Sequence, residues 1–301
     1  MTARPVGDAS EQPDHVSRTT SQVSRTASQA SRLTSRVSRT TSHVSCTTDV
    51  NTFIGPYPFR HVPHPDPDVL VKLLAREKVQ RAWVGHLPSA FYRDPSHGNS
   101  ELFAATQPYA ATLSPVPTIR PDWPKWETTL ADAVALGVPA VRAYPPQWGM
   151  GPHDSAMHAL AIACGEAGVA LLLTVRFEDL RQRHHLDTAC DLSGAAIRSI
   201  GRASQRTRIL VTAAGRATIE EVHWGLTPEE RARLWWDISW IWGPPDDDLA
   251  HLIRTIGADR LVYGSGWPLR LSQTPRANLD LLPEDVAQSV LATAEDVSTR
   301  R

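Results

Sequence analysis

The side chains best placed to do chemistry in this chain are two arginines, one aspartate, one histidine and a scatter of amide and hydroxyl groups. Arg142, Tyr144, Arg176, Asp237, Ser239 and Ser265 each fall near the end of an apolar run, Asn51 sits inside the first such run, and His86 ends the second. A guanidinium presents a planar fork of donors, so Arg142 and Arg176 over one cavity would suit a carboxylate or a phosphate. In a metal-free reaction Asp237 would serve as base, His86 as acid and Arg176 as the partner of a developing oxyanion. The bland alternative pairs the arginines with Glu178, Asp179 or Asp237 as plain ion pairs and makes Asp237 an architectural group of the rim.

These side chains need a scaffold that brings their strand ends together. Apolar strand-like runs at 49–54, 81–86, 112–118, 138–143, 169–175, 207–213, 234–239 and 260–265 alternate with amphipathic helical runs. The helical runs begin at Asp66 and near Asn99, Trp123, Ser155, Thr188, Thr218, Asp246 and Pro283. Such alternation predicts an α/β fold with a parallel sheet and crossover helices. Eight units are the number that closes a (β/α)8 TIM barrel, whose functional face lies where the strands end. Gly137, Gly168 and Gly257 follow three helical runs at the position that favours a left-handed residue.

The run Asp49-Val50-Asn51-Thr52-Phe53-Ile54-Gly55 resembles the D-x-H-x-H-x-G first strand of the amidohydrolase superfamily, in its amidohydrolase-2-like branch. Gly55-Pro56-Tyr57-Pro58-Phe59-Arg60, Trp236-Asp237-Ile238-Ser239 and Arg260-Leu261-Val262-Tyr263-Gly264-Ser265-Gly266-Trp267-Pro268 resemble further stretches of the same family. The resemblance implies a TIM barrel built for metal-assisted hydrolysis, over residues 48–301. It also places the metal-ligand positions at Asn51, Phe53, Thr174, Ala213 and Gly266, where no imidazole or carboxylate stands. A phenyl ring cannot ligate a metal and an amide is a poor substitute for imidazole. Arg142, nearest to the carboxylated lysine of some members, stays protonated and cannot form a carbamate. The expectation is that no metal binds and that the family's metal-made hydroxide is not available. Small residues at Thr174, Ala213 and Gly266 would then leave space beside Arg142 and Arg176.

Other histidines offer no replacement site. His61 and His64 have a two-residue gap, but the surrounding prolines exclude a helix that would aim both rings together; His184 and His185 are adjacent with rings expected to point apart, and His153 and His158 do not share a helical face. No G-x-S-x-G elbow exists for a serine hydrolase, and no glycine-rich loop exists for a nucleotide cofactor. No cofactor is expected.

Residues 1–47 are compositionally foreign. From Val16 a seven-residue unit repeats as VSRTTSQ, VSRTASQ, ASRLTSR, VSRTTSH and VSCTT. Only one position per repeat is reliably apolar, whereas a coiled-coil seam needs two, so a disordered low-complexity tail is expected. Near-perfect tandem copies suggest a translated DNA repeat, with the natural start near Val44. The formal net charge of -1 argues against nucleic acid, and no apolar run approaches a membrane span. Cys46, Cys164 and Cys190, widely spaced, point to reduced thiols in a cytoplasmic protein.

Three functional readings follow. The first is a catalytically degenerate barrel that binds a small anion, either carboxylate or phosphate. The second is a metal-independent hydrolase or lyase acting on a small carboxylate. The third is a structural partner, with room for a homo-oligomer, that associates through the region of Trp224, Trp235, Trp236, Trp240 and Trp242.

Overall fold

The computed structural model describes residues 47–63 and 65–298. Apart from Thr47, the repeat expected over 1–47 lies outside the described residues, as does His64. Eight parallel strands follow one another: β1 (Thr48–Ile54), β2 (Arg81–His86), β3 (Leu113–Pro115), β4 (Ala140–Ala143), β5 (Ala170–Thr174), β6 (Ile209–Thr212), β7 (Leu234–Asp237) and β8 (Leu261–Val262). β1, β2 and β3 form one ladder and β4 to β8 another. Loop-like backbone joins the two into a ring. Arg142 N donates to Pro117 O at 2.9 Å, and Ile119 N to Arg142 O at 2.9 Å. On the opposite side, Val50 N donates to Tyr263 O at 3.0 Å, Gly266 N to Asn51 O at 2.8 Å and Phe53 N to Trp267 O at 2.9 Å. The result is a (β/α)8 barrel.

β3 and β8 are shorter than their apolar runs, for local reasons. Pro115 and Pro117 have no N–H to donate, so the third ladder thins beyond Val84. After Val262 the chain leaves β7 and gives its hydrogen bonds to β1 instead.

The helices are α1 (Pro67–Arg76), α2 (Ser96–Thr106), α3 (Trp126–Ala135), α4 (Ser155–Ala167), α5 (Gly194–Ala203), α6 (Arg216–Trp224), α7 (Pro228–Arg231), α8 (Asp248–Ile256), α9 (Gln273–Asp280), α10 (Glu284–Ala292) and α11 (Ala294–Ser298). α4 starts where the Asp154 carboxylate accepts from Ala156 N at 2.9 Å. It stops at Gly168, whose φ of 66 is left-handed; Gly137 at φ 72 and Gly257 at φ 94 also take the positive φ expected of them. α5 starts later than its composition suggests, because Ser193 and not Thr188 caps it, accepting from Ala196 N at 3.2 Å. No helix among the described residues is long and apolar enough to cross a membrane.

The strand period of two sorts side chains into two layers. Val141, Leu171, Leu173, Ile209, Val211 and Trp236 face the helices, while Ala140, Ala170, Leu172, Leu210, Trp235 and Val262 fill the barrel. Each buried leucine contributes on the order of 2 kcal/mol, which is why these runs carry almost no polar residue. Of the clustered tryptophans, Trp235, Trp236 and Trp240 are buried, whereas Trp224 and Trp242 are exposed.

Candidate functional site at the barrel mouth

Above the apolar filling, the strand ends carry one polar layer. Asp237 ends β7 and is fully buried. Its Oδ1 accepts from Ala213 N at 2.8 Å, and its Oδ2 accepts from Asn51 Nδ2 at 2.7 Å. The same amide nitrogen lies 3.4 Å from Ser239 Oγ. Thr174 Oγ1 and Thr212 Oγ1 meet at 3.1 Å across β5 and β6. Thr212 thus supplies the sixth strand's side chain in this layer, while Ala213, left-handed at φ 60, supplies its N–H. Burial pushes the Asp237 carboxyl up, although Ser239, Ala213, Asn51 and Arg142 all favour its charged form.

Arg142 projects from β4 into the barrel and has no solvent exposure. Its Cζ stands 4.4 Å from the centre of the Phe53 ring, a desolvated cation–π contact. Nη2 reaches only Val50 O, at 3.4 Å, while Nε and Nη1 are buried without a hydrogen-bond partner. The expected ion pair to Glu178, Asp179 or Asp237 does not form. The Tyr144 hydroxyl is buried beside Arg142 and Thr118; burial raises its pKa, and both neighbours oppose that shift.

The mouth is closed above this layer. Phe53, Tyr57, Leu87, Tyr144 and Phe177 form a buried cluster, with Phe59, Phe91 and Trp148 packed against it. Phe177 is its hub, with ring centres 5.4 Å from Tyr144, 5.5 Å from Phe91 and 6.0 Å from Phe53. Thr174 and Ala213, where space was expected, are buried. At Gly266, φ 72, a Cβ would lie 3.5 Å from Arg270 Cδ and 3.4 Å from Ser239 Cβ, so the Arg270 stem covers that position.

Two residues do not reach the place expected of them. His86 alternates with Gly85, and Gly85 is the one that faces Phe53, so the imidazole points out of the barrel. There His86 Nδ1 contacts Ser89 Oγ at 2.9 Å and Nε2 contacts Glu101 Oε2 at 3.3 Å, beneath α2. It does not meet Asp237. Ser265 turns into the seam between β8 and β1: its N–H donates to Asp49 Oδ1 at 3.0 Å and its hydroxyl accepts from Trp267 N at 3.1 Å. Gly264 takes the inward position instead, where a Cβ would stand 2.7 Å from Asp237 Oδ2. Arg176 sits at the rim, ion-paired to Asp191 at 2.9 Å and 5.3 Å over the Trp240 ring. His153 and His158 converge on Ser199 Oγ at 2.9 and 2.8 Å, because His153 precedes α4 and does not share its helical spacing.

Two residues of this region had no role assigned from the sequence. Asp49 stands in the quoted first-strand motif and ties the seam, accepting from Asn51 N at 3.1 Å and Ser265 N at 3.0 Å. Burial lifts its pKa to about 7 despite those bonds. Arg270 lies over Trp240 at 4.3 Å and Trp242 at 5.3 Å, with its Nε buried and unpartnered. Burial pulls its pKa down, opposed by Asp237 and Asp179. Nothing in its spacing marks it.

The fold is a TIM barrel with a buried polar layer at its mouth. No protein-family model matches the chain, and no curated protein does. Solved structures do. A TIM-barrel protein from Bordetella bronchiseptica matches with a TM-score of 0.60 at 15% identity, covering 83% of this chain and 98% of that one. The 5-carboxyvanillate decarboxylase of Sphingomonas paucimobilis matches with a TM-score of 0.61 at 10% identity, covering 84% and 99%. An amidohydrolase of Mycobacterium avium subsp. paratuberculosis matches with a TM-score of 0.57 at 16% identity, covering 78% and 74%. At such identities the likeness establishes the fold.

The metal that the family resemblance implies can be tested against the donors at the mouth. Asn51, Thr174, Thr212, Ser239 and Asp237 offer neutral oxygens, amide hydrogens and one carboxylate whose oxygens are already occupied. Among the described residues, no three His, Cys, Asp or Glu side chains are placed to hold an ion. This donor set does not fit a divalent transition metal.

Proposed function

We propose that this protein is an amidohydrolase-related barrel whose metal site has degenerated, and that it holds a small carboxylate or phosphate on Arg142. The observation that carries this reading is the buried guanidinium itself. Among the described residues, two of its donor groups have no hydrogen-bond partner and no carboxylate forms an ion pair with it. An unpaired buried charge costs several kcal/mol, and a bidentate anion would remove that cost. Entry requires the aromatic cluster to part. Its members Tyr57, Phe91 and Phe177 lie outside the strands, beyond the ends of β1, β2 and β5. The rim arginines Arg176 and Arg270, stacked about Trp240, would attract the anion to that opening.

A second reading keeps chemistry without metal on a small carboxylate, because burial raises the Asp237 carboxyl above its ordinary value and makes it a stronger base. Its two oxygens are both held by N–H donors, which favours an architectural role.

The test joins two measurements on the full chain. Plasma mass spectrometry should find no zinc or manganese in protein purified without chelator. Thermal shift against a panel of small carboxylates and phosphates should find a stabilising anion whose effect is lost in Arg142→Met. One metal ion per chain, or stabilisation unchanged in Arg142→Met, would overturn the reading. Turnover of a stabilising carboxylate would favour the second.

A further inference from the structure

The opposite end of the barrel carries a larger opening. A pocket of about 980 Å³ lies at the N-terminal ends of β5 to β8, bounded by the end of α4 and by α11. Its size is at the upper end of small-molecule sites. Three of its arginines occupy equivalent places, each immediately before a strand: Arg208 before β6, Arg233 before β7 and Arg260 before β8. Parallel strands start on one face, so this spacing gathers three guanidiniums on one rim. Arg206 joins them and makes no side-chain hydrogen bond or ion pair among the described residues.

The charge at this rim is only partly neutralised. Arg233 spends its donors on neutral carbonyls, reaching Ser204 O at 2.6 Å and Thr207 O at 3.3 Å. Burial lowers its pKa, which marks a cation held away from water. Arg260 is paired with Asp259 at 2.8 Å. The floor is Trp235, over which Arg260 Cζ stacks at 5.3 Å. Trp235 is 7% exposed and its indole N–H has no hydrogen-bond partner.

We infer that this pocket binds a nucleotide-class anion, a planar ring carrying phosphate. The outer face of the Arg260 guanidinium continues the Trp235 stack and offers a flat cation for an aromatic ring. Arg206 supplies a fork for phosphate oxygens, and Arg233, whose donors are held by carbonyls, adds positive charge beside it. Glu166, Asp259 and Asp296 on the same rim oppose an extended polyanion, so the ligand is a discrete small molecule and not nucleic acid. The site lies at the other end of the strands from Arg142 and does not depend on the reading of the mouth.

Calorimetry on the full chain tests this with ADP and inorganic pyrophosphate as probes. ADP should bind more tightly than pyrophosphate, because only ADP has a ring to stack. Arg206→Glu should weaken both by about tenfold or more without moving the melting temperature, since the Arg206 side chain holds nothing in the fold. Arg260→Ala should weaken ADP more than pyrophosphate. Lys72→Ala, on the exposed face of α1 and paired among the described residues only with Asp68, should change neither. No heat with either probe at millimolar concentration, equal affinity for the two, or affinity unchanged in Arg206→Glu would each overturn the inference.

Discussion

The two ends of the barrel handle charge in opposite ways. At the mouth and its seam, Asp237, Asp49 and Arg142 are buried, and Arg142 lies against the Phe53 ring. At the base, arginines face an open pocket, Arg208 and Arg233 giving hydrogen bonds to loop carbonyls and Arg260 also to Asp259. The mouth therefore holds carboxyls whose protonation is set by burial, while the base holds guanidinium groups. One consequence is that the mouth should govern how stability responds to pH, and the base should not.

The largest expected effect is on that response. Asp49 has a folded pKa of about 7, above its ordinary 3.8. A group raised in this way favours the fold while protonated, so its contribution is complete below about pH 4 and is lost as pH rises through about 7. A shift of roughly three units corresponds to something on the order of 4 kcal/mol. Denaturant titrations should find the protein more stable at pH 5 than at pH 8, with the difference largely removed in Asp49→Asn. A flat profile in the wild-type protein would break the contrast between the two ends.

Next in size is Asp237→Ala. It strands the Ala213 N–H and the Asn51 amide inside the barrel and should cost roughly 3 kcal/mol, read as a lower urea midpoint. An equal loss in Arg233→Ala would mean that the base is as tightly built as the mouth. We expect about 1–2 kcal/mol there, because its guanidinium braces the carbonyls of Gly201, Ser204 and Thr207.

Much of the scaffold could be read from the chain. All eight strands fall within or beside their apolar runs, because strands buried on both faces need uninterrupted Leu, Val and Ala, as in Ala170-Leu171-Leu172-Leu173. The inward direction of Arg142, Thr174 and Asp237 followed from the period of two. The same alternation runs from Val262 to Gly264, so it gives the inward place to Gly264 and turns Ser265 away. His86 was misplaced because one step along β2 reverses the face. The closure of the mouth was not legible, since Tyr57, Phe91 and Phe177 come from three separate loops.

The sequence by itself determined which side chains exist at the strand ends, and hence that imidazole and carboxylate are missing from the five positions where the family resemblance puts metal ligands. That is a matter of chemical type and needs no coordinates. Tertiary structure alone decided which of the remaining groups are dry, which are paired and which are reachable. Among the described residues Arg142 is buried without a carboxylate partner and Arg206 makes no side-chain hydrogen bond, while Asp49 is lifted by burial. These properties depend on distances between residues far apart in the chain, which the closure of the barrel fixes and local pattern does not.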